Sequence, residues 1–350
     1  MKPRKAVQEM APYHPPTGNR IDKMRLDFNE NTVGCSPRLV EFLRSQITPE
    51  RLAVYPDYHA VKETLAGYFG VSPDEFTLTN GTDEAIQVFI NTYIDDGDEV
   101  LIPRPSYAMY RFYAEVAGAT VREVEYPAPR YEFPTEALLA QITPQTRAVC
   151  ISNPNNPTGT GIGLDVLERI IEAARDAVVL VDEAYFEFSG VTALGWIGKY
   201  PNLFVSRTFS KVFGMAALRV GCLFSQKENI AFAQKAQSPY SVNMIAALAA
   251  QESVKDPEYV AHYVAEALAA RELLCVGLTD LDIPFIPSSA NFVLANFGAR
   301  AIEVRDTLRS HAILVRDRSY EAPGCVRITV GTKLQAARVL EELEAIWRRI

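Results

Sequence analysis

In the stretch SRTFSKVFGMAALRVG, Ser206 to Gly221, a lysine flanked by hydroxyls is followed closely by an arginine. Lys211 can condense with an aldehyde to form an imine and, once released, act as a base. Thr208, Ser210 and Arg219 offer two hydroxyls and a guanidinium, a set that holds a dianionic phosphate through charge-assisted hydrogen bonds. One ligand carrying both an aldehyde and a phosphate would use the whole stretch. Most lysines are solvated surface residues, so the reading rests on three further segments. AVCISNPNNPTGTG, Ala148 to Gly161, is an apolar β-branched run ending in Asn, Pro and Gly. AVVLVDEAYFEF, Ala177 to Phe188, ends the same way in Asp182, Glu183, Ala184 and Tyr185. EFTLTNGTDEAIQVF, Glu75 to Phe89, reads as a strand, a turn at Asn80 and Gly81, and a helix starting near Asp83, whose free N–H groups form an anion site.

Each of these segments must be delivered by a regular element. Strand-like and helix-like patterns alternate from about His59 to Ser225, as in a mostly parallel sheet flanked by helices, with strands ending near Thr79, Ile102, Ser152, Asp182 and Ser206. The chemical segments follow these endings, where ligands of open α/β sheets gather. After Ser225 the chain turns helical, and EYVAHYVAEALAARELLCVGL would link two domains. Beyond Pro284, NFVLANF, AILVRD and CVRITVGT read as strands and Lys333 to Ile350 as a closing amphipathic helix. The expected division is an arm over 1–40 joining the small domain, a large domain over 41–275, and a small α/β domain over 276–350.

The 350 residues carry a formal charge of −8, with 48% hydrophobic and 22% charged residues, values of an ordinary globular chain. That balance argues against general nucleic-acid or anionic-membrane binding while allowing a local basic pocket. The five cysteines are odd in number and scattered, which fits reduced thiols in the cytoplasm, and the four histidines show no ligand spacing, so no metal is expected. No signal region and no apolar span of about 20 residues is present. TGTGIG places glycines at 159, 161 and 163, which is not the G-x-G-x-x-G spacing of dinucleotide sites.

Together the four segments resemble the fold-type I pyridoxal-phosphate enzymes, and within them the class I/II aminotransferases. The resemblance implies pyridoxal 5'-phosphate as cofactor. Lys211 would carry the imine and move the proton at the substrate's α-carbon. Asp182 would keep the pyridine nitrogen protonated, and Tyr185 and Asn156 would hydrogen-bond the cofactor's phenolic oxygen. Tyr107, in RPSYAMY, would stack on the ring. The phosphate would be held around Gly81, Thr82 and Asp83, and by Thr208, Ser210 and Arg219. LDFNENTVGCSP, VYPDYHAVKETLAGYFG, SPYSVN and the stretch from SSANFVLANF to RITVGT are similar to histidinol-phosphate aminotransferases. In that family Arg327 would grip a carboxylate or phosphate, and Arg316, in VRDRS, would add a second cation. Tyr13, in APYHPP, would help cover the substrate. Tyr55, in VYPD, would reach a partner's cofactor phosphate in a homodimer with shared active sites.

The implied reaction passes an amino group from an amino-acid or amino-alcohol phosphate to a 2-oxo acid, with ping-pong kinetics. Thr32, Val33, Gly34 and Cys35 depart from the run common after NEN and leave room for a relative acting on aromatic amino acids. A threonine-phosphate decarboxylase would share the cofactor residues and differ in which Cα bond stands perpendicular to the ring. A non-catalytic ligand sensor built on the same domain would need a separate basic DNA-binding module, and the residues before the core leave too little room for one.

Overall fold

The computed structural model describes residues 1–10 and 20–347. Its strands are β1 (Met24–Leu26), β2 (Phe76–Thr79), β3 (Glu99–Arg104), β4 (Thr120–Glu125), β5 (Thr146–Ser152), β6 (Val178–Asp182), β7 (Leu203–Thr208), β8 (Gly221–Phe224), β9 (Phe285–Ile286), β10 (Phe292–Asn296), β11 (Ile313–Asp317) and β12 (Cys325–Thr329). They form a seven-stranded sheet in the order β2-β8-β7-β6-β5-β3-β4 and a five-stranded sheet in the order β1-β11-β12-β10-β9. In the larger sheet β3 to β7 run parallel, and β8 is antiparallel to both of its neighbours.

Period-two alternation gives the central strands two apolar faces. Val149, Ile151, Val179, Val181 and Val205 pack on one side, with Leu167, Ile170 and Ile171 of the helix Leu164–Ala173. Ala148, Cys150, Leu180 and Phe204 pack on the other, with Ile86 and Phe89 of the helix Gly81–Tyr93. Each large buried side chain contributes about 1.5–3 kcal/mol, so these strands are the rigid base from which the loops project.

The smaller sheet follows a different logic. Val326 and Ile328 face the helices of its own core, while Arg327 between them turns to the opposite face, toward the larger sheet. Register places Arg316 directly opposite Arg327, so both guanidinium groups start from that face. The helix Pro257–Asp280 spans the junction without a break. Tyr263 and Ala267 belong to the larger core, and Ala270, Leu274 and Leu278 to the smaller one. The expected boundary at residue 275 therefore falls inside one helix.

The strands expected near Ile102 and Ser206 run two residues further, and the helix expected near Asp83 opens at Gly81. β4 and β8 were not anticipated. β4 is a half-exposed edge whose TVREVE pattern carries little apolar signal, and β8 lies hidden at the end of the Lys211 stretch. Among the described residues no helix is long and apolar enough to cross a membrane.

Candidate active site

A cavity of about 430 Å³ opens where β5, β6 and β7 end, between the larger sheet and the Arg face of the smaller one. Asn156, Asp182, Tyr185, Thr208, Ser210, Lys211 and Arg219 line it from one side, Arg316, Arg318 and Arg327 from the other, and Phe28 to Glu30 between them. Thr82, Asp83 and Tyr107 complete the end nearest the helix Gly81–Tyr93.

Lys211 sits in a short loop after β7, where Thr208 Oγ1 accepts the Ser210 N–H at 3.1 Å. Asn31 Nδ2 donates to the Val212 carbonyl at 2.9 Å, and Gly214, at φ +69°, lies so close to residue 34 that a Cβ would stand 2.3 Å from the Gly34 oxygen. The NEN run thus pins the lysine loop. Lys211 Nζ donates to the Phe28 carbonyl at 3.0 Å. Burial first, and the Arg327 charge second, hold its ammonium down at about 8, so the neutral amine is far more accessible than for a solvated lysine.

Asp182 closes β6 and is only 3% exposed. Tyr110 donates to its Oδ2 at 2.6 Å and Ser206 to its Oδ1 at 2.9 Å. Burial pushes the carboxyl upward and these donors oppose it, with burial the larger influence. Asn29 donates to the Tyr185 hydroxyl at 2.9 Å, which leaves the Tyr185 proton free for another acceptor. Arg327 donates to Asn156 Oδ1 at 2.5 Å, fixing the amide so that Nδ2 remains a donor.

At the far end, the first N–H groups of the helix Gly81–Tyr93 have no intrahelical acceptor, and Asn80 provides no side-chain cap. Arg219 Nη2 lies 3.1 Å from Asp83, while its Nη1 reaches the Ala216 carbonyl at 3.2 Å and Ser210 at 3.4 Å. Gly81 has φ +75°, and a Cβ there would stand 2.4 Å from Arg219 Nη2. The left-handed backbone favours glycine here, and a side chain would displace the guanidinium from this corner. The Tyr107 hydroxyl donates to Asp83 at 2.7 Å, so Asp83 offers an anion its backbone N–H and not its carboxylate.

The arginine wall differs in character. Arg327 spends Nη2 on the Asp27 carbonyl at 2.6 Å, yet its buried Nε has no partner among the described residues. Arg318 pairs with Glu321 at 2.5 Å and also leaves Nε unpartnered. The Arg316 side chain makes no hydrogen bond or ion pair with any described residue; its guanidinium lies 5.8 Å from the Phe28 ring centre. Arg20 stacks on that ring at 4.3 Å and is held by Asp27 and Glu30.

Of the expected residues, Tyr55 lies outside the cavity, 75% exposed, with its ring tilted against that of Tyr240 at 4.7 Å between centres. Tyr13 lies outside the described residues. Tyr110, Ser206, Asn29, Glu30, Arg20 and Arg318 were missed by motif reading. Ser206 opens the lysine stretch, so its place at that strand end could have singled it out, whereas Tyr110 carried no comparable signal.

A pyridine aldehyde phosphate fits these residues: a neutralisable amine, a buried carboxylate, a tyrosine face and an anion corner of helix N–H groups, hydroxyls and a guanidinium. Fold and site together define a pyridoxal-phosphate-dependent enzyme built on the fold-type I architecture. The chain matches the family described as "Aminotransferase class I and II" across residues 21–345 and belongs to it; its cofactor is pyridoxal 5'-phosphate. It is 33% identical to histidinol-phosphate aminotransferase 2 of Carboxydothermus hydrogenoformans over 98% of both chains. It is 34% identical to the histidinol-phosphate aminotransferase of Symbiobacterium thermophilum, again over 98% of each. The solved histidinol-phosphate aminotransferase of Clostridium acetobutylicum superposes with a TM-score of 0.86 at 25% identity, covering 93% of this chain and 99% of that one. The Sinorhizobium meliloti enzyme, solved with pyridoxal-5'-phosphate, shares the fold with a TM-score of 0.88 at 22% identity, over 99% and 97% of the two chains.

Proposed function

We propose that this aminotransferase exchanges the amino group of L-histidinol phosphate with 2-oxoglutarate, in two half-reactions through one pocket. The observation that carries the reading is the arginine wall: Arg316, Arg318 and Arg327 line one side of the cavity, and Arg316 has no polar partner among the described residues. Three guanidinium groups on one wall suit a phosphate dianion, and Arg327 would also take a carboxylate of glutamate in the other half-reaction. The relatives named histidinol-phosphate aminotransferase support the same substrate.

Bound pyridoxal phosphate supplies an aldehyde that condenses with amines and a protonated ring that takes up the electron pair of the α-carbon. Lys211 would anchor that aldehyde, and its released amine would take the α-proton and return it. Asp182 would hold the proton on the ring nitrogen. The free proton of Tyr185 and the Nδ2 of Asn156 would be donated to the phenolic oxygen. Gly81, Thr82 and Asp83 backbone N–H groups, with Thr208, Ser210 and Arg219, would hold the phosphate, and the Tyr107 ring would stack on the pyridine face. Arg316 and Arg327 would orient the substrate's anion, with Tyr13 as cover. Exposed Tyr55 would complete the site from a second copy in a homodimer, and a cytoplasmic setting fits the scattered cysteines.

The test is a spectral titration of the loaded enzyme with L-histidinol phosphate, glutamate, phenylalanine and threonine phosphate. Conversion of the cofactor to its amine form by both histidinol phosphate and glutamate is the expected result. Conversion by glutamate and phenylalanine alone, or carbon dioxide release from threonine phosphate, would reject the substrate assignment.

A further inference from the structure

Behind the cofactor residues lies a set of groups that reach the reaction only through others. Tyr110 is buried completely within the core of the larger sheet, and its hydroxyl, 2.6 Å from Asp182 Oδ2, is the polar end of an otherwise apolar side chain. Its ring meets the Tyr107 ring edge-on, with centres 5.8 Å apart at 82°. Tyr107 in turn is tied through its hydroxyl to Asp83, and Asp83 to Arg219. One side chain therefore touches both Asp182, which would meet the ring nitrogen, and Tyr107, which would stack on the ring. A carboxylate in such a site turns about its Cβ–Cγ bond unless donors fix both oxygens, and a turned oxygen gives a poorer bond to the nitrogen. Ser206 fixes Oδ1 at 2.9 Å and Tyr110 fixes Oδ2.

We infer that Tyr110, with Ser206 on the second oxygen, is a positioning residue that orients Asp182 toward the cofactor's ring nitrogen and so keeps that nitrogen protonated, while its ring sets the plane of Tyr107. This rests on the reading that Asp182 faces the nitrogen.

The experiment loads the apoprotein with ring-15N pyridoxal phosphate and reads the nitrogen's chemical shift beside the kinetics of the glutamate half-reaction. Asp182→Asn tests the underlying reading and is expected to move the signal to the unprotonated position. Tyr110→Phe keeps the ring and removes only the hydroxyl. It is expected to move the signal part of the way and to lower the half-reaction rate about tenfold to a hundredfold, the scale of a hydrogen bond to a charged group. The glutamate KM should stay within about threefold, and in the Asp182→Asn background the added Tyr110→Phe change should cost less than about threefold. If Tyr110→Phe does not yield folded protein, Ser206→Ala is read by the same criteria from the other oxygen. A signal that moves in Asp182→Asn and stays fixed in Tyr110→Phe, or an equal rate loss in both backgrounds, overturns the inference alone. A signal unmoved by Asp182→Asn removes the reading beneath it as well.

Discussion

The floor of the pocket and its arginine wall are built on opposite principles. On the floor, Tyr110 and Ser206 donate to the two oxygens of Asp182, and Tyr107 and Arg219 both donate to Asp83. On the wall, Arg316 has no polar partner among the described residues, and Arg318 and Arg327 keep buried donors unpartnered. A cavity-lining guanidinium with no partner of its own, as in Arg316, makes sense where an anion arrives and departs every cycle. A permanent cofactor gains from a rigid, preorganised seat; an exchanging substrate gains from donors that are free until it binds. The sheets reflect the same contrast, since the floor hangs from parallel strands buried on both faces and the wall from the pocket face of a small, mostly antiparallel sheet.

The comparison can be broken first at Lys211, where floor and substrate meet. Lys211→Ala should abolish the imine absorbance and lower transamination by at least about 10⁴-fold, with circular dichroism unchanged; normal turnover would sink the mechanism. Gly81→Ala attacks the floor alone. Its positive φ and the 2.4 Å approach to Arg219 should cost about 1–3 kcal/mol, read as a pyridoxal phosphate Kd weakened more than about tenfold by fluorescence titration. An unchanged Kd would show that the corner yields without strain. The smallest effect concerns the apoprotein's stability. Lys211 falls to about 8 in the fold from 10.5, so between those values the unfolded chain binds more protons and stability rises with pH. The gain should be on the order of 1–2 kcal/mol after allowance for solvent at the pocket mouth, and urea unfolding of Lys211→Met should lack it.

Much of the floor was legible in the sequence because its residues follow strand ends in compact runs. Asp182 and Tyr185 close one apolar strand, Asn156 follows another, and Lys211 and Arg219 share one stretch. Residues that act through tertiary packing left no such mark. Tyr110 is one of 16 tyrosines on an ordinary amphipathic helix, and only the fold shows that its hydroxyl meets Asp182. Asn29 and Glu30 were visible as part of NEN, but their partners Tyr185 and Arg20 depend on how β1 joins the smaller sheet, a three-residue strand too short for periodicity to reveal. Arg318 escaped because the alternation of β11 ends at Asp317, and it is the following turn that swings its guanidinium into the cavity.

The division between a saturated floor and an open wall is tested most directly by the kinetics of Arg316→Ala with two substrates. Removing the unpartnered guanidinium should raise the KM for L-histidinol phosphate about 10- to 100-fold, as for loss of a charge-assisted contact, while the glutamate KM changes by less than about threefold and pyridoxal phosphate affinity stays at the wild-type value. An equal loss for both substrates, or a weakened cofactor, would contradict the account, because Arg316 would then belong to the floor or to the general frame of the pocket and not to a wall held open for the phosphate.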